Sequence, residues 1–519
     1  MKRIIVRKDS YYDSVVLMSI SAEIKKIDGV GEAVVAMGTE VNLTLIKDMG
    51  LDSDELRAAG PNDLIIALEG ESEEVLISAE SKVNELLRKK SSADGQTAYR
   101  PTGFESAVKV MPDANLVIIS LPGQYAGREA RKALQVDRHV MLFSDNVPIE
   151  TEIELKKLAQ ERGLLMMGPD CGTAMINGMP ICFANVVRRG AIGLVSAAGT
   201  GLQEVACSIE KAGGGVSQGI GTGGRDLKDK RVGGIMVRMA VEALAQDPET
   251  KVIAVISKPP AKAVIPNVMK TFETAGKPCV VHFIGAESAA GEENIHYAKS
   301  LEETARMAVA LSRGERYTAQ EFELPEEEIA ALVERETAGM APQQQFVRGL
   351  FTGGTLTDEA VFALHEPLGG VYSLDPVDPA FELPDPHRSQ GHTIVDLGED
   401  VFTVGRPHPM IDASIRTERI ELEMEDPEVA VLLIDCVIGY SSHPDPAGAM
   451  LDVLQAAKSR ARERGGYLAI VGSVTGTEGD SQNVHDQRRK LKSAGCVVMP
   501  SNYQAAKLVE RIMARRASK

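Results

Sequence analysis

An α/β protein built from several doubly wound, parallel-sheet domains is the fold class that the sequence predicts. Three observations carry this. Short apolar runs recur along the chain, each followed by a small-residue turn and then by apolar residues at helical spacing. Hydrophobic residues make up 44% and charged residues 25% of the chain, the balance of a globular protein. Finally, 519 residues are more than one core supports, which implies roughly three or four domains.

Residues 1–95 form an N-terminal α/β domain, with strands at Arg3–Arg7, Glu32–Met37 and Asp63–Leu68. Helical periodicity runs from Val15 to Ile27 and from Glu73 to Leu87, and Lys89–Gln96 has the polar composition of a linker. In residues 96–188 the strands Asn115–Ser120, His139–Phe143 and Leu164–Met167 alternate with the helices Ala126–Leu134 and Ile149–Glu161. Such a β-α-β-α-β order implies parallel pairing with right-handed crossovers. Residues 189–313 repeat the pattern with strands at Ala191–Ser196, Val252–Ser257 and Pro278–Phe283. Residues 314–345 read as a connector with an acidic helix, Pro325–Thr337. The last stretch, 346–519, has strands at Phe346–Phe351, Val429–Asp435, Tyr467–Val471 and Cys496–Met499, around a Pro- and Asp-rich middle, Leu374–His392, expected to be loop.

A net charge of −17 argues against a nucleic-acid partner, which needs a basic stripe, but leaves room for small anions held locally. No apolar run approaches the roughly 20 residues that cross a membrane. Met1–Lys8 has too short an apolar core for a secretion signal and reads as a first strand. Cysteines 171, 182, 207, 279, 436 and 496 are scattered, without metal-ligand spacing, so buried reduced thiols and a cytoplasmic location are expected. No metal site is expected.

Three turns follow the pattern strand, small-residue loop, helix start. They are Ser196-Ala197-Ala198-Gly199-Thr200-Gly201, Thr352-Gly353-Gly354-Thr355-Leu356-Thr357-Asp358, and Gly439-Tyr440-Ser441-Ser442-His443-Pro444-Asp445-Pro446. Free amides and the dipole at a helix start attract anions, and glycine lets a ligand come close. One such loop alone would be an ordinary βα turn; three at the carboxyl ends of parallel strands point to phosphate or carboxylate binding. A fourth glycine-rich segment, Gly219–Gly224, precedes Arg225, which could clamp an anion or form a turn with Asp226. Among the histidines, His443 sits two residues from Asp445 and is the candidate for moving a proton. His282 lies inside an apolar strand and reads as a core residue.

Residues 115–281 resemble the α subunit of succinyl-CoA synthetase, through Gly168-Pro169-Asp170-Cys171-Gly172, Gly193–Thr200 and Gly219–Gly224. Residues from about 426 to 519 resemble the carboxyl-terminal domain of its β subunit. This fusion is the layout of the FdrA (acyl-CoA synthetase FdrA) family, which the chain resembles nearly end to end. Tyr12–Val15, Phe143–Val147, Gly223–Leu227 and Ser257-Lys258-Pro259-Pro260 are similar to its hallmarks. The resemblance implies Rossmann-like and flavodoxin-like domains of the succinyl-CoA synthetase type, with CoA as a possible ligand.

The chain departs from the synthetases in several ways. No glycine-rich turn follows the first strand, where Lys8–Asp13 stands, and there is no nucleotide-binding module of the ATP-grasp or P-loop kind. His296 falls near the synthetases' phosphate-carrying histidine but lacks its flanking glycines. FdrA-type chains also resemble a subunit of oxamate carbamoyltransferase. The resemblance therefore implies a subunit that moves a carbamoyl group between a ureido acid and phosphate, working beside companion subunits in an oligomer. An acyl-CoA synthetase or CoA transferase with a separate nucleotide-binding partner, and a non-catalytic scaffold, are the alternatives. In the main expectation Ser196, Gly199, Thr200, Gly201, Gly353, Gly354, Thr355, Ser441 and Ser442 hold phosphate or carbamoyl phosphate. Arg225 anchors a carboxylate, and His443 and His296 are the catalytic candidates.

Overall fold

The structure is a computed structural model that describes all residues except 9, 11, 13, 93–100, 102, 286–293, 405 and 519. The chain divides into two compact units, residues 1–101 with 400–407, and residues 102–399 with 408–519.

The first unit holds strands β1 (Lys2–Arg7), β2 (Val30–Met37) and β3 (Leu64–Gly70) in the order β1-β3-β2, with both pairings antiparallel. The expected strands are present, but their sheet is antiparallel. β3 is apolar on both faces, so it takes the centre and separates the two strands joined by the first helix. Helices Ser14–Lys25 and Glu73–Ser92 bury Leu17, Ile20, Ile24, Leu76, Ala79 and Val83 at helical spacing over one face. Ile46, Leu51 and Leu56 cover Ile65 and Ala67 on the other. The second helix runs on to Ser92, so part of the segment expected as a linker is helical; residues 93–100 lie outside the described residues.

The second unit contains three sheets. Strands β4 (Leu116–Ile119), β5 (His139–Leu142) and β6 (Met166–Met167) are parallel in sequence order. Seven strands follow: β7 (Thr173–Ile176), β8 (Met179–Cys182), β9 (Arg189–Ser196), β10 (Val216–Gly221), β11 (Val252–Ser257), β12 (Cys279–Phe283) and β13 (Ile295–Tyr297). Their order is β13-β12-β11-β9-β10-β7-β8, parallel except for the hairpin β7–β8. That hairpin comes from the stretch read as 96–188 yet pairs with the strands of 189–313. The five-stranded sheet is wholly parallel. Its members are β14 (Phe346–Phe351), β15 (Thr393–Asp396), β16 (Val429–Val437), β17 (Ala469–Thr475) and β18 (Val497–Met499), in the order β15-β14-β16-β17-β18.

β16 is buried from end to end, as a central strand covered by helices on both faces should be. One continuous apolar core joins the helices of the seven- and five-stranded sheets, with Leu202 and Val205 in the same cluster as Leu356, Val361 and Leu508. The connector is ordered. Its helix Glu326–Thr337 lies along the last helix, Asn502–Ala517, with Glu334 and Arg515 paired at 2.9 Å. Among the described residues no helix is long and apolar enough to cross a membrane.

Candidate functional site: two facing helix starts

β9 and β14 each end in a small-residue loop that opens a helix, Gly199–Lys211 and Gly354–His365 respectively. The two helix starts meet. A Cβ built on Gly201 would lie 2.8 Å from Cγ2 of Thr355, and one on Gly353 would lie 2.8 Å from Cγ2 of Thr200. Each glycine thus makes room for the other loop's threonine, a reciprocal contact that any larger residue would break. The residues that precede the helices, Ala198 and Gly353, offer no side-chain acceptor, so the first-turn amides keep their donors. Some helices elsewhere in this unit are capped, by Ser300, Ser501 and Asp445, while others, such as Gly123–Gln135 and Ile149–Arg162, begin after a proline without a side-chain cap. Thr355 is buried and its hydroxyl has no hydrogen-bond partner among the described residues. Two open helix starts and an unsatisfied buried hydroxyl form a site suited to an oxyanion.

Residues not predicted from sequence surround this junction. Lys258, at the end of β11, pairs with Asp358 at 2.9 Å and with Asp375 at 2.6 Å. Burial opposes its charge, but the two carboxylates hold the ammonium above its ordinary range. Burial also lifts the Asp358 carboxyl to about 6, against the pull of Lys258. Asp396, at the end of β15, reaches toward Gly354, on which a Cβ would lie 2.9 Å from Oδ2. Desolvation carries this carboxyl to about 8, the Gly398 amide offsetting part of the shift and the negative charges of Glu399, Asp435 and Asp358 adding to it. Asp435 fixes the second loop from beneath. It accepts from the Thr352 amide at 3.0 Å and from its hydroxyl at 3.1 Å, and pairs with buried Arg416 at 2.6 Å.

Of the predicted residues, the structure brings Gly199, Thr200, Gly201, Gly353, Gly354 and Thr355 together at the junction. Ser196 closes its own turn, accepting from the Ala198 amide and donating to the Ala198 carbonyl. The third loop is different. Its helix, Pro446–Glu463, is capped by Asp445, which accepts from Gly448 and pairs with Lys490 at 2.5 Å. His443 Nδ1 accepts from the Asp445 amide at 2.9 Å, so this ring braces the turn. Ser441 donates weakly to the Cys182 carbonyl at 3.4 Å, and the Ser442 hydroxyl is buried without a partner.

Arg225 is committed too: it pairs with Glu152 at 2.8 Å and donates to the Val147 carbonyl at 2.8 Å. Gly219 and Gly221 lie within β10 and form no loop. His296 sits in the edge strand β13, opposite Val280 and three strands from β9, with its charge disfavoured by burial. At about 4.8 Å per strand that is roughly 14 Å across the sheet. His282 is a core residue, as expected, bonded to the Ala298 carbonyl. The first strand of the synthetase-like part is not β1, which belongs to the antiparallel unit. The parallel strands begin at β4, which Ser120-Leu121-Pro122-Gly123 follows.

Behind the junction each helix donates a carboxylate to the other sheet's elements. Glu204, from the first helix, accepts from the Asn502 amide at 3.4 Å, while Glu359, from the second, accepts from the Leu301 amide at 2.8 Å. Glu359 also accepts from the Asn502 side chain, and Glu302 is held by Ser501 and Gln504. Burial pushes Glu359 up to about 8, the Leu301 and Asn502 donors opposing and the charges of Glu204 and Glu302 reinforcing it. The folded state therefore keeps a proton that the unfolded chain loses near its ordinary value of 4.5. Stability contributed by this group is complete below that value and is lost as pH rises toward about 8. We expect urea midpoints to fall between about pH 5 and 8, and to fall less steeply in Glu359→Gln. Equal slopes would show that Glu359 is already ionised.

Comparisons with known proteins agree with this architecture. Residues 350–512 match the CoA-ligase family, and residues 1–101 match the family described as AllF, heavy metal-associated domain. Residues 1–101 contain neither cysteine nor histidine, and among the described residues no group of three or more metal-binding side chains occurs. The donor set thus does not fit a soft metal ion. The chain is 28% identical over 192 residues to the mitochondrial succinate–CoA ligase [ADP-forming] subunit alpha-2 of Trichomonas vaginalis, covering 36% of this chain and 60% of that one. The apo dinucleotide-forming acetyl-coenzyme A synthetase 1 of Ca. Korarchaeum cryptofilum resembles it with a TM-score of 0.33 and 17% identity, over 79% of this chain and 86% of that one.

Parallel α/β sheets and a CoA-ligase match together define a member of the acyl-CoA synthetase superfamily. The uncharacterized protein YahF of Escherichia coli K12 is 45% identical over 518 residues, covering 99% of both chains. The chain belongs to the FdrA family.

Proposed function

We propose that this chain carries the phosphate-dependent half of an acid–thiol ligase reaction, with the nucleotide supplied by a separate partner chain in an oligomer. The observation that carries it is the pair of uncapped helix starts facing each other around the buried Thr355 hydroxyl. A phosphate held there attacks the carbonyl of an acyl thioester. A C–O bond forms and the C–S bond breaks, giving an acyl phosphate and a thiolate that takes up a proton. The amides around Gly199–Gly201 and Gly354–Thr355 offset the phosphate charge. Asp396, protonated near neutral pH, is placed beside Gly354 to give up that proton.

The ligase relatives support this reading over the carbamoyl transfer to phosphate that the family resemblance first implied. Thiol release from acyl-CoA and phosphate, measured with and without companion subunits, tests it. We expect Gly201→Val to lower turnover by at least about 100-fold, the scale of losing oxyanion donors. Turnover that survives in Gly201→Val would sink the assignment of the junction. Carbamoyl phosphate consumption with oxamate, without any thioester turnover, would restore the carbamoyltransferase reading.

A further inference from the structure

We propose that a cleft at the amino end of the five-stranded sheet is a second binding site, for a small molecule that joins a di- or triphosphate to an apolar ring. The cleft has a volume of about 730 Å³ and lies between the connector helix Glu326–Thr337 and the segments that lead into β17 and β18. That is the size of small-molecule sites, which run from about 300 to 1,000 Å³. Tyr467 and Cys496 precede those two strands, so the cleft sits at the amino end of the sheet. The facing helix starts lie at the carboxyl end.

The chemistry of its walls is specific. Lys458, Arg462, Lys492 and Arg335 line it, against two acids, Glu328 and Glu336. This local excess of positive charge stands out in a chain of net charge −17. Glu336 is already engaged, by Arg335 at 2.8 Å and by the Tyr467 hydroxyl at 2.8 Å. Lys458 is buried and spends its donors on the Tyr467 hydroxyl, the Leu468 carbonyl and the Gly495 carbonyl, with its ammonium 4.6 Å from the Tyr467 ring centre. Burial disfavours its charge, which the Glu336 carboxylate partly restores. Arg462 and Lys492 are exposed and have no ion-pair partner among the described residues. Leu332 and Val498 supply apolar surface beside them. Two exposed cations without ion-pair partners, on the same wall as apolar side chains, suit clustered phosphates attached to a ring.

Calorimetric titration of the full chain with ADP and with tripolyphosphate tests this. We expect saturable ADP binding that weakens at least tenfold in Arg462→Glu and in Lys492→Glu, both exposed positions whose exchange leaves the fold intact. Thr355→Val, which alters the facing helix starts, should bind ADP as the parent does. Tripolyphosphate should bind more weakly than ADP, because it lacks the ring. An absence of saturable binding up to about 1 mM ADP would overturn the proposal. Binding that survives both charge reversals, or that disappears in Thr355→Val, would overturn it as well. Since the readout is ADP binding and not thioester turnover, failure here and failure of the ligase assignment are separable.

Discussion

Lys156→Met is expected to lower the free energy of unfolding by about 3–5 kcal/mol. Lys156 is fully buried on the helix Ile149–Arg162 and pairs with Glu152 at 2.9 Å and with Asp226 at 2.8 Å. Its third donor goes to the Thr222 carbonyl at 3.0 Å. Asp226 in turn accepts from the Met236 and Val237 amides and so starts the helix Ile235–Gln246. Removal of the lysine strands two buried carboxylates, of which only Glu152 keeps a cation, Arg225. Breaking one partner of a buried ionic cluster costs more than replacing all of it. The double variant Lys156→Met, Glu152→Gln should therefore recover part of the loss, with Asp226 kept because both its oxygens accept from the Met236 and Val237 amides. Urea unfolding would decide the matter, and a loss under about 1 kcal/mol for the single variant would mean that water reaches the cluster.

Asp435→Ala should cost a similar amount, again about 3–5 kcal/mol, and should also disable the facing helix starts. The carboxylate is buried at the end of β16 and holds both the amide and the hydroxyl of Thr352, immediately before Gly353. Its loss leaves the Arg416 guanidinium buried without its acid and the Thr352 amide without an acceptor. Stability and anion binding should fall together. A phosphate-induced rise in melting temperature is expected in the parent and should be absent from Asp435→Ala. A destabilised variant that still responds to phosphate would separate Asp435 from the junction.

Most strands were legible because parallel strands covered on both faces must be apolar, and runs such as Val429–Asp435 stand out against polar turns. What escaped was set by pairing. The hairpin β7–β8 and the edge strand β13 have four residues or fewer, and β8 and β13 are partly exposed, so they lack that signature. The antiparallel order of the first unit depends on which strand takes the centre, which periodicity does not encode. Two of the three candidate loops open helices that have no side-chain cap. In the third, Asp445, the neighbour of His443, caps its own helix, a role that spacing alone does not separate from pairing with the histidine. Arg225 looked like a clamp beside glycines, and its acid, Glu152, lies 73 positions earlier on another element. One signal was visible and unused. Gly199-Thr200 and Gly354-Thr355 are each followed four residues after the threonine by a glutamate, Glu204 and Glu359. That spacing marks two helices built to the same plan.

The exchange of Glu204 and Glu359 across the junction bears on how a fused chain of this kind behaves if its halves are parted. Each carboxylate completes the opening turn of a helix that belongs to the other half, so neither half has a finished surface of its own. The peptide link through residues 314–345 is then a convenience of synthesis more than a requirement of assembly. A protease cut in the exposed stretch before the helix Glu326–Thr337 should leave two fragments that remain one particle. Either fragment made alone should be insoluble, with a buried seam of carboxylates and apolar side chains exposed to water.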